Sequence, residues 1–289
     1  MCIRDRDGDG YEDGYEVNNG YNPNDPYSHP PVYVDGENGS DSNDGLSWST
    51  AKKTIQAGID TCYGSGGGEV WVKAGTYTIS STISLKDGIA LYGGFAGSET
   101  NISQRDWANN VTTIDGQGSV YHVVTGANNA VIDGFTITGG NANGTSFSDD
   151  CGGGMYNYNV SNLTIANCTF SENSAKYGGG LYNYYHSSPT ITNCIFSENS
   201  ADCGGALYNT NYSSPTITNC TFSENSAVVY GGALSIGYNS SSTITNCTFS
   251  GNSAGDGGAL SIGYDSSSTI TNCTFSGNSA DWYGGALYN

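Results

Sequence analysis

Residues 216–223 read T-I-T-N-C-T-F-S, and this stretch decides the fold because it recurs along the second half of the chain. Matching copies begin at Thr164, Thr190, Thr243 and Thr269. Their cysteines follow one another at intervals of 26, 26, 27 and 26 residues: Cys168, Cys194, Cys220, Cys247 and Cys273. A fixed period in the range of roughly 20–50 residues predicts a repeat architecture in which each repeat is one supersecondary unit.

A second block, with the pattern G-G-[GA]-[LM]-[YS]-[NI], alternates in phase with the first. Its copies begin at Gly152, Gly178, Gly204, Gly231, Gly257 and Gly284. Each unit is rich in Thr, Ile, Phe and Tyr, which favour strands, and is interrupted by Asn, Gly and Ser, which favour turns. We therefore expect each unit to contain short strands separated by sharp corners.

The corners can be located from the phase of the inward-facing residues. Side chains of a strand alternate between its two faces, so Ile191 and Cys194 can both face inward only if the phase slips between them. Asn193 lies at this slip, and Asn tolerates the left-handed backbone conformation that a corner requires. The same slip separates Phe196 from Asn199. The pattern predicts three strands and three corners per unit, which is one coil of a parallel β-helix.

Stacking about nine such coils, each about 4.8 Å from the next, places equivalent residues in ladders. The core ladders comprise Ile165, Ile191, Ile217, Ile244, Ile270, Phe170, Phe196, Phe222, Phe249 and Phe275. A corner ladder whose amides bond between coils comprises Asn173, Asn199, Asn225, Asn252 and Asn278. A solenoid gains stability coil by coil, which accounts for a hydrophobic content of only 36% in an ordered chain.

The composition excludes several classes of protein. The 43 glycines disfavour an all-α fold, because Gly weakens helices. The formal net charge of −19 makes nucleic acid an unsuitable partner, since a phosphate backbone attracts positive charge. No run of about 18 apolar residues is present that could span a membrane as a helix.

The chain divides into an acidic leader, residues 1–30, and a β-helix, residues 31–289. Residues 69–145 have the character of less regular coils, and before them Ala51, Ile55, Ile59 and Cys62 follow helical spacing. A solenoid must cover its first coil, so we expect this segment to form a short N-terminal capping helix. The sequence stops at Asn289 in the middle of a unit, and we expect the natural protein to continue beyond it.

The leader contains D-R-D-G-D-G-Y-E-D-G-Y-E at residues 5–16. A calcium loop needs oxygen ligands at positions 1, 3, 5, 7, 9 and 12, with Gly at position 6 for the turn. Every position matches, with Gly10 in register, and the predicted calcium ligands are Asp5, Asp7, Asp9, the carbonyl of Tyr11, Asp13 and Glu16. The alternative is a solvated acidic linker.

The F-S-E-N and F-S-G-N elements alternate with G-G-A-L, and this pairing resembles the repeats of polymorphic outer-membrane proteins. Residues 31–289 as a whole resemble bacterial right-handed parallel β-helix proteins, and residues 5–16 resemble thrombospondin type 3 or dockerin calcium loops. The resemblance implies a secreted or cell-surface protein, with adhesion as the usual role and an extracellular glycan or a neighbouring cell surface as partner. The first residues lack the apolar stretch of a signal peptide.

The same scaffold carries polysaccharide lyases and glycoside hydrolases of the pectin-lyase-like fold, so an enzyme is the alternative function. A lyase needs an Arg or Lys to take a proton, and Lys176 is the only basic residue from 151 onward. A hydrolase needs paired carboxylates, and the adjacent pair Asp149-Asp150 is the single candidate in the coils. These observations favour a protein without catalysis, and we assign no catalytic residue.

Tyrosines are the remaining candidate for binding. Because Leu207 and Asn209 face inward, the residue between them should face outward, and the same phase holds in other coils. The predicted binding row comprises Tyr156, Tyr182, Tyr208 and Tyr288. Exposed aromatic faces with polar tips suit recognition surfaces, although the row could equally be plain stacking between coils.

The repeated cysteines face inward at intervals of one coil. Their Cα separation would allow disulfides, but their parallel Cβ vectors oppose bridging. We therefore expect a stack of buried free thiols that pack as small hydrophobes.

The calcium assignment predicts uptake of the ion by residues 1–30. Isothermal titration calorimetry of this segment with calcium chloride should show binding that magnesium does not reproduce, because the loop supplies the flexible oxygen cage that calcium prefers. The absence of a calcium heat would remove the site.

Overall fold

The repeated motif builds a stack of coils, seen in a computed structural model that describes residues 30–263 and 265–289. Every pairing between the described strands is parallel, and the strands pair between coils, not within one coil. The strands of successive coils instead lie side by side in continuous sheets. The prediction of an all-β parallel β-helix is confirmed.

The first sheet, here the isoleucine sheet, contains the T-I-T strands. Within the described residues its nine strands are, in spatial order, β1 (Val32–Val34), β2 (Gly68–Lys73), β5 (Ile89–Phe95), β8 (Val131–Asp133), β11 (Thr164–Ala166), β15 (Thr190–Thr192), β19 (Thr216–Thr218), β23 (Thr243–Thr245) and β27 (Thr269–Thr271). The register joins Ile165, Ile191 and Ile217 directly. The nine strands agree with the expected number of coils.

The second sheet, the phenylalanine sheet, begins with three long strands: β3 (Gly75–Thr78), β6 (Thr112–Val120) and β9 (Phe135–Ala142). In the later coils the equivalent of β9 is divided into two short strands. The first set is β12 (Thr169–Ser171), β16 (Ile195–Ser197), β20 (Thr221–Ser223), β24 (Thr248–Ser250) and β28 (Thr274–Ser276). The second set is β13 (Ser174–Ala175), β17 (Ser200–Cys203), β21 (Ser226–Tyr230), β25 (Ser253–Asp256) and β29 (Ser279–Tyr283).

The third sheet, the leucine sheet, follows the Gly-Gly block. In the part of the chain that the structure describes, its eight strands are β4 (Ile83–Ser84), β7 (Val124–Thr125), β10 (Met155–Tyr158), β14 (Leu181–Tyr184), β18 (Leu207–Thr210), β22 (Leu234–Ile236), β26 (Leu260–Ile262) and β30 (Leu287–Tyr288). Gly178 enters this corner with φ of 64°. A Cβ on Gly179 would collide with the carbonyl oxygens of Ser200 and Gly205, so the block requires Gly for close backbone approach.

The prediction of three strands per coil is wrong for the regular coils, which have four. The prediction of a corner between Phe196 and Asn199 is correct, but Glu198 rather than Asn199 adopts the left-handed conformation there, with φ of 57°. This corner divides one side of the coil into two strands of the same sheet. The other predicted corner, at Asn193, is confirmed by its φ of 52°.

The predicted capping helix is present as α1 (Ile55–Gly64). It begins where the Thr54 side chain accepts a hydrogen bond from the Ala57 amide, and it packs on β1, β2 and β5. Its buried residues are Ile55, Gly58, Ile59 and Cys62. Ala51 is buried but precedes the helix, next to a 3-10 turn at Trp48–Thr50; a second such turn spans Ile102–Gln104. Among the described residues, no helix is long and apolar enough to cross a membrane.

The phenylalanine ladder shows how regular the stack is. Consecutive rings from Phe170 to Phe275 lie 4.8–4.9 Å apart with interplanar angles of 4–6°. Four of the five rings are fully buried, and Phe275 in the last described coil is partly buried. Successive coils are therefore related by an almost pure translation.

The predicted asparagine ladder is also confirmed. The Asn225 carboxamide oxygen accepts from the backbone and side-chain amides of Asn199 at 3.1 and 3.0 Å. The Asn225 amide donates to the Phe196 carbonyl at 2.9 Å and to Asn252 at 3.0 Å. Each buried asparagine thus satisfies backbone groups that the corner leaves without a partner in the sheets.

The cysteine stack consists of free thiols, as expected. The Cys194 amide donates to the Cys220 sulfur at 3.4 Å, and the same contact joins Cys220 to Cys247. Burial raises the pKa of the Cys194 thiol well above its ordinary value. The Cys194 thiol therefore packs in the core as a small apolar group.

The asparagine ladder supports a stability prediction. Substitution Asn225→Ala should lower the free energy of unfolding by about 2–5 kcal/mol, because it leaves buried amide and carbonyl groups of the adjacent coil unpaired. Urea denaturation followed by circular dichroism measures the change. The matched control is Asn219→Gly, in the exposed ladder of the same coil, where φ is 55°, and its effect should stay within about 0.5 kcal/mol. Equal losses for the two variants would contradict this role of the buried ladder.

Candidate aromatic binding site

The calcium site predicted at Asp5, Asp7, Asp9, Tyr11, Asp13 and Glu16 lies outside the described residues. Within residues 30–263 and 265–289, no group of three or more His, Cys, Asp or Glu side chains is placed to hold a metal ion. The candidate site in the coils is therefore built from aromatic and polar side chains.

Three of the predicted tyrosines form a row on the outer side of the leucine sheet. The register pairs Tyr156 with Tyr182 and Tyr182 with Tyr208. Their ring centroids are 5.9 and 5.6 Å apart. Leu181 and Asn183, on either side of Tyr182, are fully buried in the core, so the tyrosines face away from it as predicted.

Tyr182 was expected to be exposed, but only 2% of its surface is accessible to solvent. The rings of Tyr156, Tyr184 and Tyr208 all lie within 6 Å of it and cover it. Tyr156 and Tyr208 are half-buried. Burial raises the pKa of all three phenols of the row, that of Tyr156 to about 12. Tyr182 therefore forms the floor of the site, where direct contact with a ligand is limited.

A cleft of about 360 Å³ lies over this floor. Its aromatic wall comprises Phe147, Tyr177, Tyr182, Tyr184, Tyr208 and Tyr238. Phe147 is 52% exposed and belongs to the loop between β9 and β10, and its ring centroid is 4.9 Å from that of Tyr184. This loop interrupts the regular repeat and provides one side of the cleft.

The polar wall of the cleft is formed by Asp150, Lys176, Thr210 and Asn211. The Lys176 ammonium lies 3.6 Å from an Asp150 carboxylate oxygen and 5.2 Å from the Tyr177 ring centroid. The backbone amides of Lys176 and Tyr177 both donate to the Asp150 carbonyl, at 2.9 and 3.2 Å. The loop that carries Phe147 is thus fastened to the next coil, and the charged pair is held at the edge of the aromatic surface.

A second cleft, of about 220 Å³, continues along the same sheet. Tyr208 lines both clefts, and Tyr230, Ser235, Ser261 and Tyr288 line the second. The binding row predicted from the sequence is thereby partly brought together: Tyr182 and Tyr208 share the first cleft, Tyr208 and Tyr288 share the second, and Tyr156 lines neither. Tyr156 instead stacks on His122 at 5.1 Å.

Exposed tyrosines also follow the leucine strands at the next corner. Tyr185, Tyr212 and Tyr238 have φ of 51°, 64° and 53° and are all exposed. A bulky residue in this conformation stores strain of roughly 1–3 kcal/mol. The position equivalent to Tyr185 and Tyr238 has Asn159 in an earlier coil, with φ of 54°, and the position equivalent to Tyr212 has Asn239 in the next coil, with φ of 60°. The chain therefore places aromatic rings beside the cleft at positions where Asn or Gly would be less strained.

The other polar residues considered from the sequence each contact a neighbour within the fold. His122 is buried, its Nδ1 lies 3.0 Å from the Gly152 carbonyl, and burial lowers its pKa. His186 stacks on Tyr212 at 5.3 Å. The Asp149 carboxylate accepts a hydrogen bond from Ser148 at 3.0 Å, and Asp150 accepts one from the Cys151 thiol at 3.1 Å.

Sequence reasoning missed Phe147, Tyr184 and Tyr238 as parts of the site. Tyr184 could have been found, because it lies two residues after Tyr182 on the same face of the strand. Phe147 is the single aromatic residue of a polar loop that departs from the repeat, which is a weaker signal. The position of Tyr238 depends on the conformation of the corner.

Two family models match parts of the sequence. The family model described as right handed beta helix region matches residues 57–275. The repeat described as Chlamydia polymorphic membrane protein repeat matches residues 272–289. No curated protein matches the chain at a significant level.

Two solved structures, both of the pectin methylesterase from Aspergillus niger, are similar to this chain at 15% sequence identity. The deglycosylated form gives a TM-score of 0.49 and covers 86% of each chain. The penultimately deglycosylated form gives a TM-score of 0.46 and covers 86% of this chain and 85% of that one.

The buried tyrosine row predicts a loss of stability in alkali. The fold favours the neutral phenols of Tyr156, Tyr182 and Tyr208, whereas the unfolded chain ionises near the ordinary value of 10.0. The unfolded state then binds fewer protons than the folded state, so the free energy of unfolding should fall as pH rises from about 10 to about 12. Absorbance titration at native and urea-unfolded conditions measures this. Tyr156, Tyr182 and Tyr208 should ionise late only in the native protein, together with Tyr77 and Tyr92, whose pKa values burial also raises. Simultaneous ionisation of all tyrosines in both states would contradict the burial.

Proposed function

The chain belongs to the right-handed β-helix family, and we propose that it is a non-catalytic binding protein that holds a carbohydrate chain in the cleft over the leucine sheet. The observation that carries this proposal is the cleft itself, which Phe147, Tyr177, Tyr184 and Tyr208 line together with the polar side chains described above. Ligand sites commonly combine a mainly apolar lining with a few convergent polar groups.

A sugar ring matches both walls of this cleft. The ring presents aliphatic C–H groups on its faces, which pack on aromatic rings, and hydroxyl groups at its edge, which need donors and acceptors. Asp150 and Asn211 offer acceptors, while Lys176 and Asn211 offer donors. The continuation of the cleft past Tyr208 along the sheet suits an extended chain better than a compact small molecule.

The cleft is largely pre-formed. Tyr182, Tyr184 and Tyr208 extend from strands that are paired on both sides, and the Phe147 loop is fastened through Asp150. Tyr supplies a large contact area with few rotatable bonds, so ordering it on binding costs little entropy. The rigid solenoid thereby supports recognition of a ligand without a conformational change.

The charge of the protein restricts the class of glycan. A net charge of −19 repels polyanions at long range, and Lys176 already has Asp150 beside it. A neutral glycan is therefore the expected ligand, and an acidic polysaccharide should bind less well.

We place this activity outside the cell, in a secreted or surface-exposed protein that takes part in adhesion. The match to the Chlamydia polymorphic membrane protein repeat supports this location. We also retain the proposal that residues 5–16 bind calcium, because the spacing of their oxygen ligands fits the loop.

The alternative is a polysaccharide lyase or glycoside hydrolase. The observation that favours it is the presence of Asp150 and Lys176, an acidic and a basic side chain, inside the aromatic cleft. Turnover of a bound glycan distinguishes this alternative from binding alone.

Binding can be tested with an array of neutral and acidic glycans, with and without calcium. A neutral glycan should be retained, and Phe147→Ala and Tyr184→Ala should each weaken its binding about tenfold, as truncation of an aromatic anchor does. The matched control is Tyr63→Ala, because Tyr63 is equally exposed but lies on α1. Affinities are measured by titration calorimetry, and chromatography detects released products. Product release would overturn the non-catalytic assignment, and equal weakening by Tyr63→Ala would overturn the assignment of the site.

A further inference from the structure

A second surface, on the outer side of the isoleucine sheet, carries two parallel columns of threonines. We call it the threonine face. Each of the strands β15, β19, β23 and β27 contributes two threonines, one on either side of its buried isoleucine. The face comprises Thr190, Thr192, Thr216, Thr218, Thr243, Thr245, Thr269 and Thr271, paired residue to residue between strands. All eight are exposed or half-exposed.

The threonine face is a regular two-dimensional lattice. The phenylalanine rings of the same coils show a repeat of 4.8–4.9 Å from coil to coil, with interplanar angles of only 4–6°. Along each strand the two threonines are separated by about 6.6 Å, twice the rise per residue. Because parallel sheets normally twist by roughly 20° per strand, this face is unusually flat.

The threonine face carries no charge. The four segments that contain it, residues 187–197, 213–223, 240–250 and 266–276, lack Asp, Glu, Lys, Arg and His. One border is a ladder of exposed asparagines, Asn193, Asn219, Asn246 and Asn272. In it the Asn246 side-chain amide donates to the Asn219 carboxamide oxygen, and the Asn219 amide donates to that of Asn193, both at 3.3 Å. The other border is a shallow groove lined by serine hydroxyls, Ser214, Ser241 and Ser267 among them.

The earlier coils of the same sheet do not share this surface. The equivalent outward positions hold Glu69 and Trp71 in β2, Tyr92 in β5 and Asp133 in β8. The strand β11 has Thr164 but Ala166. Strand formation alone therefore does not require two threonines per coil, and the face is a property of the last four coils.

We propose that the threonine face binds ice. Its two repeats lie close to the oxygen repeats on a prism face of hexagonal ice, so each hydroxyl can hold a water molecule at a lattice position while the neighbouring methyl group orders water around it. Thr is β-branched and stiff at χ1, which keeps the array in place before ice arrives. The neutral face also matches the uncharged ice surface, since a charged side chain would impose a hydration shell that does not fit the lattice.

Other occupants fit the threonine face less well. A glycan packs its ring faces on aromatic side chains, and a protein interface is centred on large apolar and aromatic residues; the eight positions hold neither. The face also lies on a different sheet from the aromatic cleft, so the two surfaces can be tested separately.

The test is ice-affinity partition of the full chain, labelled with a fluorophore, onto a cold finger, together with measurement of ice recrystallisation. The unmodified protein should enter the ice fraction with several-fold enrichment over labelled serum albumin and should slow crystal coarsening. The double variant Thr218→Lys/Thr245→Lys, at the centre of the face, should lose this enrichment. The matched control Thr221→Lys/Thr248→Lys adds the same charge to the adjacent phenylalanine sheet and should retain it.

Circular dichroism and thermal melting establish that each variant is folded. If the double variant does not fold, Thr243→Lys alone, at an exposed position, should still reduce the enrichment. Exclusion of the unmodified protein from ice to the same extent as albumin would overturn the proposal. Equal loss in Thr218→Lys/Thr245→Lys and in the control pair would also overturn it, because the effect would then come from charge and not from the lattice.

Discussion

The hydrogen bonding between parallel strands of successive coils is the interaction on which the rest of this structure depends. It sets the spacing of consecutive coils, which is 4.8–4.9 Å as measured between phenylalanine rings. A side chain that recurs in the core must therefore pack against its own copy in the next coil. Phe stacks on Phe, Cys packs on Cys, and Gly179 leaves room for a neighbouring carbonyl that a Cβ would displace.

At the corners, side chains must supply the hydrogen bonds that the sheets provide elsewhere. A corner removes backbone groups from the sheets, and their burial without partners would destabilise the fold. The ladder from Asn173 to Asn278 solves this, since each carboxamide bonds both to the next asparagine and to a backbone carbonyl of the preceding coil. A parallel ladder on the leucine sheet runs from Asn157 through Asn183 and Asn209 to Ser242.

The two proposed functional surfaces relate to the repeat in opposite ways. The threonine face exists because the repeat is strict. The spacing of its threonines across the strands is the spacing of the coils. The aromatic cleft exists where the repeat is broken. The loop with Phe147 is inserted between β9 and β10, and the tyrosine row ends after Tyr208 because Ser235 and Ser261 follow in the register and leave space for the second cleft.

Residue spacing along the chain is enough to predict the architecture. The inward ladders, the corner at Asn193 and the capping helix all follow from the period and phase of the repeats, because strand alternation and coil stacking apply in every coil. The folded structure is needed to show that Glu198 adopts the left-handed conformation, that one side of the coil is split into two strands, and that Tyr182 is covered by its neighbours. It also brought Phe147 and Tyr238 to the cleft. These outcomes depend on how irregular loops and bulky side chains of adjacent coils pack against one another. The periodic pattern of the sequence does not contain this information.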